Sequence, residues 1–200
     1  MQHTKHDAHH DHGHAHDHHE PGFWGKYVFS TDHKVIGIQY AITALVFLFF
    51  GFSLMMLMRW QLAYPGKPIP LVGSLLHNLL GDAAPGTVDA TGKIIGYTMS
   101  ADLYNAFGAM HGTIMVFLGI VPLAFAAFGN FVVPLQIGAC DMAFPRINMA
   151  SYQSFVVGGV IMLVSFFIPG GAAAAGWTSY SPLATLGSTH GQTFWIIVNI

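Results

Sequence analysis

A single histidine, His111, lies inside the apolar stretch from Leu103 to Val133, close to one of its ends. An imidazole in hydrocarbon costs free energy unless something binds it, so an ionisable group at that depth points to function. The partner that suits a neutral imidazole nitrogen is a metal centre. The other end of the stretch reads GNFVVPLQIGACDMAFPRIN and gathers three polar residues, Asn130, Asp141 and Asn148. Gly108 and Gly112 flank His111 and remove bulk where a large flat ligand or a neighbouring helix would approach. Small residues at that spacing also mark tight helix packing with a histidine hydrogen-bonding across it. On pattern alone both readings of His111 stand.

The elements that must carry these residues are membrane spans. The chain is 53% hydrophobic and 8% charged, with a mean hydropathy of +0.52, which a soluble surface cannot cover. A net charge of -2 gives no reason to expect nucleic acid, and the lone Cys140 excludes an intrachain disulfide framework. From Val35 to Met58 about 24 residues carry no charge, enough to cross a hydrocarbon core of about 30 Å. Arg59 and Trp60 follow, a charge and an amphipathic ring suited to the interface. Residues 61 to 101, rich in proline and glycine, read as an extramembrane loop with a short surface helix around Leu75 to Leu80.

Span two starts near Asp102, whose charge suits a helix N-terminus, and runs over about 103–133 to Pro134. His111 and Asn130, 19 residues apart, are then separated by about 28 Å along a straight helix and face opposite membrane surfaces. Span three covers about 150–168. A fourth apolar run, 193–200, is too short to cross a bilayer, so further chain is expected after it. The fold class is all-α, a polytopic transmembrane helix bundle.

Residues 1–22 form a separate region. Nine of the thirteen histidines fall in its first twenty residues with Asp7, Asp11, Asp17 and Glu20, and almost nothing is apolar, which predicts a disordered tail. It lacks the basic start and apolar middle of a signal peptide, which leaves the first span as the insertion signal. Loose Cu or Zn binding and simple solubilisation are both open to such a tract. Placing the N-terminus in the cytoplasm puts Lys5, Lys26, Lys34 and Arg146 inside against Arg59, Lys67 and Lys93 outside, a margin of one.

The strings YVFSTDHKVIG, MLMRWQL, LYNAFGAMHGTIMVF, FGNFVVPLQIGACDMAFPRINMASY and GWTSYSPLA occur in an order and spacing that resembles subunit I of the haem-copper oxygen reductases, the cytochrome c oxidase family. The resemblance covers about Gly22 to Ile200, roughly the first third of such a subunit and the start of its twelve-helix bundle. It implies that His111 is one axial ligand of a low-spin, haem a-like group, a role open to imidazole nitrogen. It implies that Arg59 hydrogen-bonds that haem and tunes it, which a permanently charged fork of donors suits. Tyr104 and Trp177 align near its propionates, although both could equally be interfacial belt aromatics.

By the same resemblance Asp141 looks like the mouth of the family's main proton-uptake channel, with Asn130 and Asn148 ordering its first waters. A carboxylate facing water can collect protons, and neutral amides can hold a water chain without trapping charge. Quinol-oxidising relatives carry arginine, aspartate and glutamine where this chain has Phe50, Leu54 and Ala106, so cytochrome c is the expected donor. High-spin haem, copper and their ligands belong to later helices, as does every catalytic residue. Oxidase subunits II and III and the lipid bilayer are the other implied partners, in a bacterial inner membrane.

Cys140, Met149, Gln153 and Ser181 depart from the family pattern and bear on channel hydration and the packing of span three. A metal-ion transporter is the rival class, but it would place a carboxylate one turn from His111, where Phe107 and Met115 stand. A haem-bearing anchor subunit would need a second ligand histidine in these spans. Quinol oxidation and nitric oxide reduction are the alternatives within the same superfamily.

Overall fold

The computed structural model describes residues 22–187 and 190–199; the expected tail falls outside them apart from Gly22. Three helices are long and apolar enough to cross a membrane. After a short helix α1 (Phe23–Tyr27), span one is α2 (His33–Ala63), started by Asp32, whose carboxylate accepts from the Lys34 amide at 2.8 Å. α2 outruns the uncharged segment at both ends. At 31 residues it reaches about 46 Å, so Arg59, Trp60 and Gln61 extend past the hydrocarbon.

The connection to span two is more ordered than expected. The short surface helix is present as α3 (Gly73–Leu80), and it is followed by an antiparallel hairpin of β1 (Gly86–Val88) and β2 (Ile94–Tyr97). Its register pairs Gly86 with Tyr97, Thr87 with Gly96 and Val88 with Ile94. The turn is chemically specified: Asp89 accepts from Thr91 and Lys93, and Gly92 has φ +80°. β-branched Thr87, Val88, Ile94 and Ile95 flank the turn, and the Ile69 amide donates to the Tyr97 carbonyl at the end of β2.

Span two, α4 (Ala101–Ile137), is capped by Ser100, whose hydroxyl accepts from the Leu103 amide, with Asp102 in the first turn. Just past His111 it widens into π-helical turns over Ile114–Ile120 and Pro122–Ala127. Pro122 has no N–H to give and its ring crowds the carbonyl four residues back; the wider turn relieves both, with the Val121 amide bonding five residues back to Val116. The helix continues through the expected stop at Pro134 and ends at Gly138, which takes the left-handed conformation at φ +71°. Span three is α5 (Pro145–Phe167), with proline at its first position and a closing 3-10 turn. Two short helices follow, α6 (Leu183–Leu186) and α7 (His190–Asn199).

The spans are locked by close approaches on α2. A Cβ on Gly37 would lie 3.1 Å from the Ala127 carbonyl and from Phe131 Cβ, and one on Gly51 would lie 2.9 Å from Met115 Sδ. These contacts hold α4 against α2 along its length. The main core includes Phe47, Leu54, Phe107, Met110, Ile114 and Met162, and a second cluster joins Ile36, Tyr40, Ala127 and Met149. Phe49, Phe52, Phe125 and Phe128 point outward, as residues facing lipid do. Gln153 does not disturb span three: its amide donates to the Val28 carbonyl and ties the chain after α1 to α5.

Candidate functional site

His111 sits where α4 meets α2. Its Nδ1–H donates to the Gly51 carbonyl at 2.8 Å, and Nε2 has no hydrogen-bond partner among the described residues. That bond fixes the tautomer, so the Nε2 lone pair is free. Glycine at 51 makes the bond possible, because a side chain there would strike Met115 and Ile114 and separate the helices. The glycines beside His111 serve protein neighbours: a Cβ on Gly108 would lie 3.3 Å from Met58 Cε, and one on Gly112 would lie 3.0 Å from three Trp177 side-chain atoms.

Trp177 therefore reaches His111's own turn, with its ring 6.5 Å from that of Phe117. Arg59 and Tyr104 lie at the same end of the bundle. Arg59 is exposed and about 12 Å farther along α2 than Gly51, while Tyr104 is half-buried against the main core. Neither is hydrogen-bonded to His111 among the described residues. A pin absent from the sequence reading lies two residues on. The Trp195 indole N–H donates to Thr113 Oγ1 at 2.8 Å, and that hydroxyl donates to the Ala109 carbonyl. α7 is thus fastened to α4 at the boundary where the π turns begin.

The second group forms at the opposite ends of the spans. Asp141 is exposed in the turn between α4 and α5 and accepts from the Met142 amide at 2.7 Å. Its other partner is His33, from the first turn of α2: Nδ1–H donates to Asp141 Oδ1 at 3.2 Å, and Asp32 Oδ1 lies 3.7 Å away. His33 is 2% exposed and its Nε2 is buried without a hydrogen-bond partner. No hydrogen bond joins Asp141 to Asn130 or Asn148 among the described residues.

Both amides nonetheless carry free polar atoms. Asn130 is buried and donates to the Ala126 carbonyl, leaving Oδ1 without a partner, and Asn148 Nδ2 is buried in the same condition. Deeper along α2 and α5, the Tyr40 hydroxyl meets Ser151 Oγ at 3.0 Å and Thr43 Oγ1 meets the Tyr152 hydroxyl at 3.0 Å. A polar seam thus leads inward from Asp141 between spans one and three. Tyr40, Thr43, Ser151 and Tyr152 satisfy one another, whereas the free atoms of Asn130 and Asn148 have no protein partner among the described residues. The roles of Tyr40 and Thr43 depend on Ser151 and Tyr152 more than 100 positions away, and that of His33 on Asp141, pairings that no local pattern shows.

The family described as Cytochrome C and Quinol oxidase polypeptide I matches residues 35–200. Cytochrome c oxidase subunit 1 of Thermostichus vulcanus is 41% identical over 174 residues, 87% of this chain and 26% of that protein. The protein of the same name from Synechocystis is 39% identical over 175 residues, 87% of this chain and 26% of its own length. The alternative cytochrome c oxidase subunit 1 of Bradyrhizobium diazoefficiens is 37% identical over 180 residues, 90% of this chain and 26% of its own length. The chain spans about a quarter of the length of the relatives it matches. With its membrane-spanning helices and this match over most of its length, the chain belongs to the haem-copper oxidase subunit I family.

Proposed function

We propose that this chain forms the low-spin haem side and the proton entrance of a terminal oxidase that passes electrons from cytochrome c to a haem-copper centre and reduces O2 to water. The observation that supports it most is the His111 imidazole, tautomer-fixed by the Gly51 carbonyl with Nε2 left free. Such a nitrogen fits an axial haem ligand, and a backbone acceptor behind a ligating histidine raises its basicity and holds its plane. Bound haem would supply a one-electron carrier. The chain's part would be to hold it: His111 would ligate the iron, Arg59 would offer a permanently charged donor, and Trp177 and Tyr104 would line its surroundings. A second haem ligand, the high-spin haem, the copper and the catalytic residues would belong to the rest of the subunit.

Asp141 serves as the proton collector. Its carboxylate is water-facing, and the free polar atoms of Asn130 and Asn148 supply one acceptor and one donor to a water chain leading inward. Cytochrome c is favoured over quinol as donor because Phe50, Leu54 and Ala106 offer no hydrogen bonds and lie in or against the packed core. The intact enzyme would lie in a bacterial inner membrane with subunits II and III, with the N-terminus and Asp141 facing the cytoplasm. The test is His111→Ala in the full-length enzyme: the low-spin haem absorption band is lost, and an unaltered spectrum would reject the assignment.

A further inference from the structure

We propose that His33 is the positioning residue of the proton entrance, holding the Asp141 carboxylate across the joint between α2 and the turn before α5. This rests on the reading of Asp141 as the proton collector. The two residues are 108 positions apart, and among the described residues their bond is the polar tie between the first turn of α2 and that turn. His33 is 2% exposed, which costs an imidazole its hydration unless both ring nitrogens are served. Nδ1–H serves Asp141 Oδ1, and Asp141 in turn accepts the Met142 amide, so the carboxylate is held from two directions.

The burial of the pair is asymmetric. The Asp141 side chain is 42% exposed, whereas His33 behind it is almost fully covered. The carboxylate therefore meets bulk water on one side and an imidazole on the other. With Nδ1 committed as donor, Nε2 is an acceptor buried without a protein partner, as are Asn130 Oδ1 and Asn148 Nδ2, and it would take a hydrogen bond from the water chain proposed above. Asp32 Oδ1 at 3.7 Å caps α2 and adds a second carboxylate beside the same ring edge, which favours the tautomer with Nδ1–H. His33 thus aims Asp141 and marks the first water position behind it.

The full-length enzyme in vesicles tests this with two substitutions. In His33→Asn the side-chain N–H falls near the position of Nδ1 and can still hold the carboxylate; His33→Leu fills the volume with no donor. The leucine variant is expected to slow proton uptake by about three- to tenfold, as for loss of one ordinary hydrogen bond to a partly exposed group, while the asparagine variant stays near the unsubstituted rate. The low-spin haem band, read in each sample, reports that the bundle is intact. If His33→Leu does not carry that band, His33→Gln replaces it, since its amide falls at the Nε2 position and cannot hold Asp141. Rapid uptake in the donor-less variant, or uptake equally slow in the asparagine variant, would overturn the proposal. An Asp141→Asn enzyme with undiminished uptake would instead remove the entrance reading beneath it.

Discussion

Gly51 joins the packing of the spans to the chemistry of the site, so Gly51→Val makes a demanding perturbation. A Cβ there lies 2.9 Å from Met115 Sδ and 3.3 Å from Ile114 Cγ2, and valine adds two methyls beyond it. Met115 can swing aside, but Ile114 is fully buried and α4 must move. Overpacking of this kind costs about 1–3 kcal/mol. The same displacement lengthens the 2.8 Å bond from His111 Nδ1 to the Gly51 carbonyl, and loss of such an outer partner typically weakens a metal site about 10–100-fold. The assay is haem content and the reduced-minus-oxidised spectrum of the purified full-length enzyme, alongside its thermal stability. Gly37→Ala is the matched control: it presses Ala127 and Phe131 between the same two helices, but about 21 Å away along α2. The valine variant should lose or shift the low-spin band and the control should keep it at a comparable loss of stability. A normal band in a destabilised Gly51→Val enzyme would refute the claim that this carbonyl tunes the ligand.

Further outcomes follow from other contacts. Asp141→Asn removes the collecting charge and should slow proton uptake and turnover with the low-spin spectrum intact; full pumping in that variant would exclude Asp141 from the route. Trp195→Phe keeps the ring and deletes the donor to buried Thr113, so thermal unfolding should show a loss of about 1 kcal/mol, and an unchanged midpoint would remove the pin between α7 and α4. The Asp89 carboxyl is held below its ordinary range first by the Thr91 hydroxyl and then by the Lys93 and Thr91 amides. A depressed carboxylate stabilises above its unfolded pKa and loses that contribution as pH falls through the folded value, so hairpin amides, corrected for intrinsic exchange, should lose protection on the acid side, and Asp89→Ala should abolish that dependence.

The spans and the opposed placement of His111 and Asp141 were legible because a bilayer demands long uncharged runs, and a polar residue inside one stands out. Four features were hidden for physical reasons. The π turns after His111 arise from Pro122 acting on a helix held by its neighbours, and a proline alone also reads as a kink or a stop. The hairpin depends on the side chain of Asp89 bonding two and four residues ahead, within a segment whose proline and glycine content suggests only a loop. His33 pairs with Asp141 through tertiary contact over 108 positions, which no local pattern encodes. Gly51 is similar: as a residue type it signals close packing, and only the folded spans show that its carbonyl serves an imidazole.

An experimental structure of the intact enzyme with its haems bound measures the central claim directly. The account predicts iron at coordination distance from His111 Nε2, with Nδ1 still donating to the Gly51 carbonyl. A low-spin haem ligated elsewhere, with the His111 ring touching only protein side chains, would contradict it.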